Sequence, residues 1–205
     1  MTLLAAAAVA YLIGSISFAV LVSRAYGLPD PRSYGSGNPG ATNVLRTGRK
    51  AAAVLTLAGD TLKGWFAVFL VGQHVVAEPL AAGVAAVAVV AGHLWPVYFR
   101  FTGGKGVSTG LGALIALDLW LAAGTIATWI IIAFFFRYSS LAAIVAAAFA
   151  AFFAFFLHGM GRFDLETAVC VAVIAALLVW RHAGNIRNLL AGTEGKLGSS
   201  RTGRA

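Results

Sequence analysis

Hydrocarbon runs long enough to cross a bilayer constrain this chain more than any other feature, and the first of them, residues 3–23, begins almost at its start. A helix rises about 1.5 Å per residue, so roughly 20 apolar residues cover a ~30 Å hydrocarbon core. Within that core the backbone must satisfy its own hydrogen bonds, which selects helices here. The chain is 60% hydrophobic and 11% charged, where soluble domains carry about 25% charged residues. An all-α integral membrane protein follows, and a soluble domain is excluded.

Fifteen Lys and Arg against seven Asp and Glu leave a net charge of +8. The surplus does not indicate nucleic acid, because the basic residues lie between apolar spans rather than on a soluble face. They act as topology and headgroup signals. No basic segment precedes residues 3–23 and Arg24 follows them, the pattern of an uncleaved first helix rather than a secretory signal. Cys170 sits alone in an apolar run, so no internal disulfide exists and nothing nearby activates the thiol.

The excess of Lys and Arg on cytoplasmic loops places Arg24, Arg32, Arg46, Arg49 and Lys50 inside and the N-terminus outside. Residues 51–72 form the second span, which holds Asp60 and Lys63 one turn apart and able to pair. A structural ion pair is the plainer reading of these two, and direct chemistry the other. An outer turn at 73–79 leads into a third span at 80–98. Arg137 and Arg181 also belong inside, so an even number of crossings separates Lys105 from Arg137 and Arg137 from Arg181. Two crossings fit before Arg137 only if the first is short: 107–117, a turn at Asp118, then 119–136. Eleven residues cannot span unaided, so a short or half-inserted helix with protein around its ends is expected. Residues 141–157 then run outward and 167–180 return. The expectation is seven transmembrane helices, one of them short, with the C-terminus in the cytoplasm. Five is the alternative, with 107–180 drawn as two long spans. Residues 1–194 make one domain, and 195–205 a basic disordered tail.

Three polar islands then fall on the cytoplasmic side. The first runs Ser33-Tyr34-Gly35-Ser36-Gly37-Asn38-Pro39-Gly40-Ala41-Thr42-Asn43-Val44-Leu45-Arg46. Glycines among hydroxyls and amides can curl into a concavity of N–H donors that binds phosphate, or form an ordinary polar loop. The second includes His93 and Gly103-Gly104-Lys105-Gly106, a glycine turn with a cation at its centre. Lys105 suits a phosphate oxygen as a point charge, and Arg46 a bidentate contact; Lys105 alone also reads as a snorkelling interfacial residue. His93 is either a proton-transfer group or a hydrogen-bonded interfacial histidine. In the third island, Arg181 to Glu194, His182 and Asn185 lie one turn apart and can face one ligand. Ser140 offers a hydroxyl or simply a helix cap. The histidines are scattered without carboxylate companions, so no metal or other cofactor is expected. Neither a nucleotide-binding P-loop, a Ser-His-Asp triad nor a His-x4-Asp pair is present. Any chemistry here rests on positioning and on stabilising phosphate charge.

These motifs, with Asp60-Thr61-Leu62-Lys63-Gly64, resemble the bacterial acyl-phosphate:glycerol-3-phosphate acyltransferases, the PlsY family, over essentially the whole chain. The resemblance implies a seven-helix enzyme of the bacterial inner membrane with its active site at the cytoplasmic face. Such an enzyme moves an acyl group from acyl phosphate to the 1-hydroxyl of glycerol 3-phosphate, releasing lysophosphatidic acid and phosphate. It further implies Lys105, Arg46 and Ser36 as catalytic residues. Gly37, Asn38, Gly40, Thr42, Asn43, His93, Gly103, Gly104, Ser140, His182 and Asn185 become substrate-binding residues, with Ser139 the competing serine. The family has no known metal requirement. Its partners are the two substrates and membrane lipid. A phosphate or anion transporter is the rival class; it explains a phosphate nest and broken helices, but not polar loops confined to one side.

Overall fold

The computed structural model describes residues 2–71 and 79–198, and every regular element among them is helical. The helices are α1 (Leu3–Gly14), α2 (Phe18–Ala25), α3 (Ala41–Leu45), α4 (Lys50–Leu70), α5 (Pro79–Leu94), α6 (Val107–Leu117), α7 (Leu119–Phe136), α8 (Ser139–Gly159), α9 (Leu165–Arg181) and α10 (Ala183–Leu190). Five stretches are long and apolar enough to cross a membrane: Leu3–Ala25, Lys50–Leu70, Leu80–Phe99, Leu119–Phe136 and Ser139–Gly159. A sixth arises if α9 and α10, bent by 56°, count as one span. The outer turn expected at 73–79 lies outside the described residues except for Pro79, which opens α5. Of the expected tail, 199–205 also lie outside them. Residues 195–198 run against the α7–α8 junction, where the Leu197 amide donates to the Arg137 carbonyl at 2.6 Å.

The short helix occupies Val107–Leu117, the residues that charge parity assigned to it. Asp118 then caps α7, its carboxylate accepting the Leu121 amide at 2.8 Å while also pairing with Arg162 at 3.1 Å. The turn after α8 is thereby pinned to the end of α6. Much of α7 faces outward, with Ile130, Ile131, Phe134 and Phe135 exposed to what is lipid in a membrane.

The first span corrects the expectation of one unbroken helix over 3–23: it breaks at Ser15, Ile16 and Ser17. The apolar run hides the break because its partners lie far away in sequence. The Ile16 carbonyl, released from the helix, accepts from the Lys63 ammonium at 2.5 Å. The Ser15 hydroxyl donates to the Tyr11 carbonyl at 2.9 Å, and the Phe18 ring fills the space left by the missing side chain at Gly59. A helix break in hydrocarbon survives when neighbouring helices satisfy the freed groups.

Glycine brings the helices together. Gly14 lies on the Val89 backbone and Gly92 on the Tyr11 carbonyl, which sets α1 against α5. Gly64 meets the Thr109 carbonyl and Gly112 the Thr61 carbonyl, which sets α4 against α6. Lipid tails leave no hydrophobic drive between helices, so close backbone approach through small residues supplies the attraction. The α4–α6 contact holds the second glycine turn, at the start of α6, beside the second span.

Candidate functional site

The three islands converge. Gly104 packs against the first loop: a Cβ placed there would stand 2.9 Å from the Pro39 carbonyl. Arg181 ties the third island to the second, donating through Nη2 to the carbonyls of Gly103 at 2.9 Å and Gly104 at 3.0 Å. Arg46 bridges the first loop and the C-terminal segment. Its Cδ lies 3.1 Å from the Cβ position of Gly35, and its guanidinium 3.9 Å from that of Gly195.

Lys105 lies half-buried among these groups and donates to Asn185 Oδ1. Asn185 Nδ2 in turn donates to Glu194 Oε1 at 2.7 Å, and the Ser140 hydroxyl donates to the same oxygen at 2.5 Å. Glu194 is thus the hub joining the N-terminus of α8 to α10, a role not assigned to it from sequence. A lone carboxylate in a basic island was the available signal, since a charge in such a place needs partners. Arg181, likewise unassigned, fixes the loop that carries Lys105. Burial pushes the Lys105 ammonium below the usual lysine range. The Glu194 carboxylate opposes that shift, while Arg181 and Arg46 add to it. The cluster is short of negative charge.

The first loop differs from the expected ring of N–H donors. The Ser36 amide donates to Asn43 Oδ1 at 3.0 Å, the Gly37 amide to the Tyr34 carbonyl at 2.9 Å, and the Gly40 amide to the Asn38 carbonyl at 2.9 Å. Gly35 and Gly37 take φ of +60° and +66°, the left-handed turns such a loop needs. Asn43, a candidate for substrate contact, is 2% exposed, and its amide also donates to the Pro31 and Tyr34 carbonyls at 2.7 and 3.2 Å. It is the buried tie that gives the loop its shape. What faces outward is side-chain chemistry: Ser36, Thr42 and Arg46 are exposed and Asn38 half-exposed. Thr42 Oγ1 lies 3.5 Å from Ser139 Oγ, so Ser139 meets the first loop while Ser140 holds Glu194.

The two candidate histidines, His93 and His182, are both interior. His182 is buried and its Nδ1 lies 2.7 Å from the Leu178 carbonyl, so Nδ1 carries the proton and Nε2 is an acceptor. Burial lowers its pKa to about 4, against the pull of that carbonyl. Between about pH 6.5 and 4 the unfolded chain therefore binds a proton that the folded chain refuses. The resulting stability is present above this window and lost as pH falls through it. The thermal midpoint in detergent should decline from pH 6.5 towards 4, with a shallower slope in His182→Gln; an unchanged slope in that variant would remove this assignment. His93, offered as a substrate contact, is 6% exposed and stands behind the glycine turn, its Nε2 directed at Gly104. Among the described residues no group of three His, Cys, Asp or Glu side chains is placed to hold a metal ion.

Residues 4–192 match the family model described as glycerol-3-phosphate acyltransferase. Curated proteins of that name from Burkholderia lata and Burkholderia pseudomallei are 57% and 56% identical to this chain, over 205 and 201 residues. The first alignment covers 100% of this chain and 95% of the relative, the second 98% of each. Two crystal structures of PlsY (YgiH), an integral membrane glycerol 3-phosphate acyltransferase, match at 36% identity with TM-scores of 0.87 and 0.85. Each covers 96% of this chain, with 96% and 95% of the respective solved chains aligned. One is a glycerol 3-phosphate form and the other a lysophosphatidic acid form.

Proposed function

The chain belongs to the glycerol-3-phosphate acyltransferase family, and from that premise we propose that it transfers an acyl group from acyl phosphate to the 1-hydroxyl of glycerol 3-phosphate. The hydroxyl oxygen attacks the acyl carbonyl carbon, the carbon–oxygen bond to phosphate breaks, and inorganic phosphate leaves. The phosphate of glycerol 3-phosphate accepts the hydroxyl proton. No cofactor enters the step.

The observation that carries this reading is the convergence of Arg46, Lys105 and Arg181 on one set of glycine loops with a single carboxylate among them. Two phosphate-bearing substrates supply the missing negative charge. Lys105 and Arg46 neutralise it, with Ser36, Gly37, Asn38, Gly40 and Thr42 shaping the wall around it. Asn185, Ser140 and His182 position glycerol 3-phosphate, and Gly103 and Gly104 allow close approach beside Lys105. The lack of a protein base in this scheme agrees with His182, whose Nδ1 is held by a backbone carbonyl rather than a carboxylate. In the same reading the chain is a seven-span protein of the bacterial inner membrane. Its N-terminus lies outside, and its site and C-terminus face the cytoplasm.

The broken first helix is what a transporter would also contain. Its freed Ile16 carbonyl, however, is taken by Lys63 and is not an open ion ligand. Detergent-purified protein given acyl phosphate and glycerol 3-phosphate should release phosphate and form lysophosphatidic acid in equal amounts. Uptake of glycerol 3-phosphate into proteoliposomes with no acylated product would overturn the enzyme reading in favour of transport.

A further inference from the structure

Beneath the glycine turn lies a buried polar cluster that the reaction scheme above does not use. Asp60 and Lys63 on α4, His93 on α5 and Thr109 on α6 are each at most 6% exposed. The Lys63 ammonium, which can only donate, has two hydrogen-bond partners, the Ile16 carbonyl at 2.5 Å and His93 Nδ1 at 2.9 Å. It also forms an ion pair with the Asp60 carboxylate at 2.8 Å, whose Oδ1 lies 3.6 Å from His93 Nδ1. Donation from Lys63 makes Nδ1 an acceptor, so the neutral imidazole carries its proton on Nε2. The Thr109 hydroxyl lies 3.0 Å from the same Nδ1.

Nε2 points away from this cluster, to the space where a Cβ of Gly104 would stand, and the Pro39 carbonyl borders that space at 2.9 Å. The His93 main chain grips the same residue, its carbonyl accepting the Gly104 amide at 3.1 Å. One residue therefore touches Gly104 through both backbone and ring, at the seam where the first and second glycine loops meet.

We propose that Lys63 and Asp60 fix His93 as an Nε2–H donor at this seam, so that the three act as positioning residues for the loop bearing Lys105. The ion pair is then more than helix glue. It couples the break in the first span, through the Ile16 carbonyl, to the placement of the catalytic lysine one residue beyond Gly104. Misplacing a reacting group by about 1 Å costs on the order of 100-fold in rate, so the effect is on turnover rather than on folding alone. The inference rests on the acyltransferase reading for its kinetic readout.

Two substitutions separate the two faces of the ring. His93→Gln places an amide N–H near the position of Nε2 and leaves Lys63 without its acceptor. His93→Asn keeps an acceptor near the position of Nδ1 and leaves the seam without a donor. With thermal midpoints measured for both, His93→Asn should lose on the order of 100-fold in kcat, and His93→Gln, which keeps the donor but not its anchor on Lys63, should lose clearly less. An asparagine variant as active as the glutamine variant, or more so, would overturn the proposal. Nitrogen-15 spectra of the wild-type imidazoles test it without any variant having to fold. His93 should be protonated on Nε2 and bare on Nδ1, and a proton on Nδ1 would equally overturn it. Failure of the wild type to acylate glycerol 3-phosphate would instead refute the acyltransferase reading, with the spectra left to decide the tautomer.

Discussion

Lys105→Ala should lower the turnover of glycerol 3-phosphate acylation by about 10²–10³-fold while the purified protein stays folded. The magnitude is that of removing one preorganised charge or donor from developing negative charge in a water-poor site. Lys105 has the placement for it. Its ammonium is half-buried, rests on the neutral Asn185 amide oxygen, and has Arg46 and Arg181 as cationic neighbours. Burial and those neighbours disfavour its charge while the Glu194 carboxylate favours it, so truncation removes little net stabilisation from the empty protein. The thermal midpoint should therefore hold. Activity thus falls while stability does not, which separates a role in the reaction from a role in packing. Phosphate release at saturating substrate, measured beside thermal unfolding of the same preparation, is the test; near-normal kcat in the variant would remove Lys105 from the mechanism. Arg46→Ala should be milder, since Arg46 is exposed and part of its interaction is screened by water.

What the sequence disclosed follows from the reach of each signal. Membrane spans are written locally, in hydropathy, and the bounds of α6 and α7 followed from the parity of crossings between Lys105 and Arg137. The islands were legible because polar residues are conspicuous among hydrocarbon. The break at Ser15 to Ser17 was not, since it lies inside an apolar run and its stabilising partner, Lys63, is 47 residues away in the next span. Asn43 reads as one more amide in a phosphate-binding loop, and only the folded loop assigns its oxygen to Ser36 and its nitrogen to Pro31 and Tyr34. Glu194 shows the same limit. Its meaning lies in Ser140, 54 residues upstream, and in Asn185. Long-range polar pairing, rather than element type, is what stayed hidden.

The glycines between helices carry the other large effect, and Gly112→Val should prevent the protein from reaching a stable fold. A Cβ at Gly112 would run into the Thr61 carbonyl oxygen and stand 2.8 Å from its carbon and 2.9 Å from the Trp65 amide nitrogen. All three atoms are backbone of α4, so no side chain can swing aside, and α4 and α6 must separate. Gly64 closes the same interface from the opposite helix against the Thr109 carbonyl. Overpacking a well-filled core costs about 1–3 kcal/mol, and more when backbone must move. At this chain length each kcal/mol lowers the midpoint by about 2–4 °C, so the loss expected is about 10 °C or complete failure to recover folded protein. The separation would also move Thr109 off His93 and shift the start of α6, where Lys105 is held. Material that survives purification should therefore show a lowered kcat as well as a lowered midpoint. Gly110 supplies the control on the same helix. Its Cβ position is 3.7 Å from Leu178 and 3.8 Å from Ile174, ordinary contact with movable side chains. Gly110→Ala should leave both midpoint and turnover near the wild-type values. If Gly110→Ala and Gly112→Val were equally harmful, backbone contact between α4 and α6 would not be what sets the fold.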